Sequence, residues 1–189
     1  QRFWLWLFAN ENSKPYGSYG NGSAMRVSAA GWLYETIERT REVARATATV
    51  THNHPEGIKG AECTAAVIFM ARNGAKKEEI AKYIDKEFAY DYSETLDEMR
   101  CRHRHVESCQ DSLPKALRSF FDGNSYEDVV RNAVSLGGDT DTLAAIAGAM
   151  AEAFYGVPNE LKEEVRKRIG TDMVKVLERF DEQLEFING

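Results

Sequence analysis

Apolar residues recur along this chain at the three-to-four spacing of α-helices, and almost no stretch alternates as a strand would. Phe3 to Ala9 reads as the end of a core helix, with Asn10 to Pro15 as its polar exit. Residues 16–23 are rich in glycine, serine, tyrosine and asparagine and read as a loop. From Met25 to about Val50 the pattern is helical, with a break near Ala29 to Gly31 and an apolar face at Ile37, Val43 and Ala44. Pro55 disfavours helical geometry at His54 and ends that run. Glu56 to Asn73 follows as a strong helix striped by Ala61, Thr64, Ala65, Ile68 and Phe69, and Gly74 is its stop. Lys76 to Phe88 is amphipathic, with Ile80 and Ile84 inward.

Tyr90 to Asp111 is the least regular stretch, polar enough to wrap the surface. Pro114 suits the first turn of a helix that runs to Phe121, and Ser125 suits the cap of the next. The run Leu143 to Ala151 is so small and apolar that it predicts a central, closely packed helix, ended by Gly156-Val157-Pro158. An exposed Lys/Glu helix comes after it, and residues 171–187 form a last helix with a docking stripe at Val174, Leu177, Phe180 and Leu184. These elements predict an all-α fold in one domain, residues 1–189, without internal repeats.

Composition narrows the function classes. A hydrophobic content of 43% with 29% charge is that of a soluble globular domain, and 189 residues are enough for a sizeable core. The formal charge of −6 argues against a nucleic-acid partner, which needs a basic face. No stretch is long enough to span a membrane. Cys63, Cys101 and Cys109 form no even framework, which points to a reduced, cytoplasmic setting. The Arg100-Cys101-Arg102-His103-Arg104-His105 run has too many arginines around its sulfur and imidazoles to favour zinc, and reads as a solvated basic loop or helix end.

Candidate chemistry concentrates in Gly137-Gly138-Asp139-Thr140-Asp141-Thr142. Two glycines permit a tight turn, and Asp139 then falls where an N-cap would be. Asp139, Asp141 and Thr142 share one helix start, and carboxylate and hydroxyl oxygens are the donors preferred by Mg²⁺, Mn²⁺ or Ca²⁺. The alternative is a plain helix cap. A second Asp, unnecessary for capping, favours the cation, because it adds a like-charge repulsion that a cation relieves. Upstream, the Gly/Ser/Asn loop is either a simple turn or a nest of amides for phosphate, and His52 is either a helix-end histidine or a ligand contact.

Gly-Gly-Asp-Thr-Asp-Thr before an Ala/Gly-rich helix resembles the C-terminal metal motif of the ADP-ribosylglycohydrolases. Gly17-Ser18-Tyr19-Gly20-Asn21-Gly22-Ser23-Ala24-Met25-Arg26 resembles that family's Tyr-Gly-Asn-Gly-x-x-Met-Arg segment, and Thr51-His52 with Gly57 resembles a third element. The resemblance implies an orthogonal multi-helix fold. It implies hydrolysis of the bond between the anomeric carbon of ADP-ribose and an acceptor, with two Mg²⁺ or Mn²⁺ ions orienting the ribose. Asp139, Asp141 and Thr142 would be metal ligands, and Gly17, Ser18, Tyr19, Gly20, Asn21, Gly22 and His52 would hold ADP-ribose. The family's early Thr-Asp-Asp ligands have no counterpart among these residues. The chain is therefore expected to lack the family's N-terminal helices and its catalytic acidic residues. Three readings follow: a shortened hydrolase, a non-catalytic ADP-ribose binder, or one part of an assembly in which a partner or a second copy covers the exposed apolar patch.

Overall fold

The computed structural model describes residues 2–9, 13–102 and 105–188. Twelve helices account for the regular structure of these residues, and the one β-type pairing among them is an isolated antiparallel bridge between Gly20 and Ser108. The all-α expectation holds.

The hub is α5 (Pro55–Arg72), not the Ala-rich helix alone. His54 accepts the Glu56 amide through Nδ1 at 3.2 Å and Pro55 occupies the first turn, where its missing N–H costs nothing. Gly74, at φ +81°, takes the left-handed geometry that ends the helix. Every residue of α5 from Gly60 to Ile68 is buried, so the helix packs on all sides. Against it lie α2 (Gly22–Met25), α3 (Ser28–Trp32), α4 (Ile37–Thr49), α6 (Lys77–Glu87), α8 (Cys109–Asp122) and α10 (Thr140–Tyr155). The main core joins Ile68, Ile80, Ile84, Leu113, Leu117, Phe120, Leu143, Ile146 and Met150; a smaller one seals α3 and α4 with Val27, Ala30, Ala44 and Ala48.

Four sequence expectations are corrected. The break predicted at Ala29 to Gly31 falls inside α3, and the chain turns instead at residues 33–36, where Thr36 caps α4 by accepting the Arg39 amide at 3.3 Å. Gly31 is helical because α3 crosses α5 too closely for a side chain: a Cβ there would sit 2.5 Å from Ile68. Pro114 lies inside α8, which Ser108 begins by accepting the Asp111 amide at 3.2 Å. The irregular region contains α7 (Leu96–Arg102), while His103 and Arg104 of the basic run and residues 10–12 of the predicted exit lie outside the described residues. Residues 3–9 are helical, in α1 (Arg2–Ala9), but Trp4, Leu5 and Phe8 are exposed rather than core.

After α9 (Tyr126–Ser135), Gly137 and Gly138 take φ values of +71° and +76° and aim α10 back across α5. The chain closes with α11 (Asn159–Arg168) and α12 (Thr171–Asn188). On α12 the expected stripe is half-covered at Val174, Phe180 and Leu184, and exposed at Leu177.

Candidate functional site

The glycine-rich loop and the acidic helix start, 118 positions apart in sequence, meet in one hydrogen bond: Asn21 Nδ2 donates to Asp139 Oδ2 at 2.7 Å. The same amide donates to Ser112 Oγ on α8 at 3.0 Å. Both Asn21 donors are thus spent, which orients the carboxamide and leaves its oxygen free of the carboxylate. Asp139 occupies the N-cap position of α10 without making the cap bond with its side chain. Its carboxylate faces the loop instead.

Asp141 is exposed at the same helix start and folds back to accept the Thr142 amide at 2.9 Å. That amide, and then the Asp139 carboxyl beside it, hold the Asp141 pKa below the ordinary carboxylate range. Thr142 is buried, with Oγ1 3.6 Å from Met25 Sδ. Asp139 and Asp141 therefore lie beside each other, while the Thr142 hydroxyl is turned to Met25 of the upstream motif. Among the described residues no group of three or more His, Cys, Asp or Glu side chains gathers here or elsewhere. Two carboxylates and a hydroxyl suit a hard cation in kind but supply only part of a six-oxygen shell.

The loop itself is tied down by hydrogen bonds. Gly17 donates to Asn53 Oδ1 at 2.7 Å, Ser18 to the Thr51 carbonyl at 3.3 Å, Gly20 to Ser18 Oγ at 3.3 Å and Asn21 to the Glu107 carbonyl at 2.7 Å. These four amides are used within the protein and set the shape of the loop. From the other side Cys109 N donates to the Tyr19 carbonyl at 2.9 Å, completing the bridge at Ser108. Between the loop and residues 105–108 lies a cavity of about 740 Å³, with Asp111 also on its wall. Tyr19, 55% exposed, packs edge-on to His54 at 5.4 Å and leaves its hydroxyl end to solvent.

His52 sits beneath the loop, only 6% exposed. Its Nδ1 lies 2.7 Å from Thr51 Oγ1, which also accepts from Arg26 Nη2 at 3.0 Å. Its Nε2 faces Gly20 and Gly22, where added Cβ atoms would come within 3.6 and 3.3 Å. Burial, and then the Arg26 charge, lower the His52 pKa to about 4, so the ring is neutral at pH 7. Gly57, the third sequence element, explains itself by contact. A Cβ there would stand 2.7 Å from the Ser18 carbonyl and 3.1 Å from His52 Cβ.

Sequence reasoning missed the wall at His105 to Asp111, Ser112, and the linking roles of Arg26 and Thr51. The Ser108-x-x-Asp111 spacing was a legible helix start. Nothing in sequence spacing signalled the other contacts.

Among the described residues the regular structure is helical, and a glycine-rich loop is held against an acidic helix start. The chain belongs to the ADP-ribosylglycohydrolase family, whose profile matches residues 1–186. It is 30% identical over 186 residues to the human ADP-ribosylhydrolase ARH3, covering 75% of this chain and 51% of that protein. It is 29% identical over 163 residues to the ADP-ribosylarginine hydrolase Tri1 of Pseudomonas putida, covering 78% of this chain and 42% of that protein. A solved structure described as an ADP-ribosylglycohydrolase-related protein complex superposes with a TM-score of 0.64 at 26% identity, covering 82% of this chain and 56% of that one. The chain spans about half the length of these curated relatives.

Proposed function

We propose that this chain binds ADP-ribose between the 17–22 loop and the 105–111 wall, and acts in hydrolysis of the bond joining ADP-ribose to an acceptor. The observation that supports the reading is the 2.7 Å hydrogen bond from Asn21 to Asp139, which ties the glycine-rich loop to the acidic start of α10. Family membership and the activities printed for its relatives supply the reaction class. Asp139, Asp141 and Thr142 would hold Mg²⁺ or Mn²⁺, which when bound would offset charge near the ribose and help orient it. The Asn21 amide, which donates to Asp139 Oδ2, would hold that carboxylate in one orientation. Ser18 and Tyr19 line the cavity, and Tyr19 would add a flat surface for a base or ribose.

A second reading has its own support: the described residues gather too few acidic groups for a complete two-cation centre. On that reading the chain takes ADP-ribose and does not turn it over. Calorimetric titration of ADP-ribose with Mn²⁺, with Mg²⁺ and with EDTA, on the wild type and on Asp141→Ala, tests both. Cation-dependent binding lost in the variant supports the hydrolase site, and release of free ADP-ribose from an ADP-ribosylated peptide then separates enzyme from binder. Absence of ADP-ribose binding under every condition refutes the proposal.

A further inference from the structure

His52 has one nitrogen committed and one unspent. Nδ1 meets Thr51 Oγ1 at 2.7 Å, whereas Nε2, on a side chain more than nine-tenths buried, has no hydrogen bond among the described residues and points at the Gly20–Gly22 turn. The fate of the Thr51 proton bears on which nitrogen carries the ring proton. Thr51 is buried and its Oγ1 accepts from the Arg26 guanidinium at 3.0 Å; among the described residues the acceptor it meets for its own proton is His52 Nδ1 at 2.7 Å, and an Nδ1–H would leave that hydroxyl proton unpaired. Arg26 is anchored in turn on the Thr47 carbonyl at 3.2 Å, at the end of α4. The order of donation is Arg26 to Thr51 to His52, and it leaves the ring proton on Nε2.

We propose that Arg26 and Thr51 are positioning residues that fix His52 as the neutral Nε2–H tautomer, so that it donates to an oxygen of the bound nucleotide at the loop. Gly22 belongs to the same device, since a Cβ there would come within 3.3 Å of the donor. The groups facing the imidazole are Thr51 and Arg26 on one side, the ring of Tyr16 at 6.5 Å, and the backbone of the Gly-rich loop on the other. No carboxylate is among the groups that shift or bond it, so nothing there favours an imidazolium. The nucleotide part of this inference rests on the ADP-ribose reading above; the tautomer does not.

The test is nitrogen-15 NMR of the histidine rings in the ligand-free protein at pH 7, with ADP-ribose titrations alongside. The expected result is a protonated Nε2 and an unprotonated, hydrogen-bonded Nδ1 for His52. Thr51→Val should release the tautomer to a mixture and weaken ADP-ribose binding about two- to tenfold, the worth of one hydrogen bond. Thr51→Ser keeps the hydroxyl and should restore both, which a purely structural role for Thr51 would not require. A proton on Nδ1 in the wild type, or a Thr51→Val protein with an unchanged His52 spectrum, overturns the proposal. An Nε2–H tautomer in a protein that takes no ADP-ribose would keep the positioning roles and strike out the ligand, so failure of the functional reading is distinct from failure of this one.

Discussion

Gly57→Ala should destabilise the protein and loosen the nucleotide loop, although alanine is the better helix former. In the first turn of α5 the propensity gain is at most about 1 kcal/mol. Against it stands a Cβ only 2.7 Å from the Ser18 carbonyl and 3.1 Å from His52 Cβ, where ordinary contact begins at 3.4 Å. The first neighbour is backbone, held by the Ser18 amide on Thr51 and by the Gly57 carbonyl on Ser23 Oγ at 2.7 Å. Loop and helix must therefore part by about 0.7 Å, and overpacking of that kind costs about 1–3 kcal/mol. The net is a loss of about 1–2 kcal/mol, or roughly 2–8 °C in melting temperature for a domain of this size. Displaced Ser18 and His52 should also weaken ADP-ribose binding about tenfold or more. Gly148→Ala is the control with the opposite sign. Its Cβ would meet Val130 at 3.5 Å, an ordinary contact inside α10, so it should stabilise by about 0.5–1 kcal/mol. Differential scanning calorimetry and ADP-ribose titration of both variants read the outcome. A Gly57→Ala protein that melts at or above the wild type with unchanged affinity would refute the packing argument.

Other consequences can be read independently. Lys77 donates to the Phe121 and Gly123 carbonyls at 3.0 and 2.6 Å, ringed by Phe120, Phe154 and Tyr155 at 5.3–5.7 Å, so Lys77→Met should cost about 2–3 kcal/mol and leave ADP-ribose affinity unchanged. His52 has a folded pKa of about 4 against an ordinary 6.5, so as pH falls through that window the unfolded chain takes up a proton the folded chain refuses. Stability should be fully present above pH 6.5 and fall by up to about 3 kcal/mol toward pH 4, a slope that urea titrations of His52→Gln should lack. Asn21→Ala should lower Mn²⁺ affinity about tenfold without removing a cation ligand, measured by the electron paramagnetic resonance of free Mn²⁺; no change would detach Asn21 from the cation site.

The sequence alone determined the helical class, most helix positions and the residues worth watching, because these depend on local terms: apolar spacing, caps, glycine and proline. Pro55, Gly74 and Ser125 act at helix ends as their chemistry requires. Where local rules and packing disagreed, packing won. Gly31 reads as a breaker, yet it is helical because α3 must press against Ile68, and Pro114 is carried inside α8 by the burial of Leu113, Ala116 and Leu117 around it. The candidate site was legible as two motifs and one histidine but not as a site. Whether Asn21 reaches Asp139, whether the loop amides are open or spent, and which nitrogen of His52 is free are decided by where α2, α5, α8 and α10 cross. Those crossings join residues more than a hundred positions apart, and no periodicity within a helix encodes them.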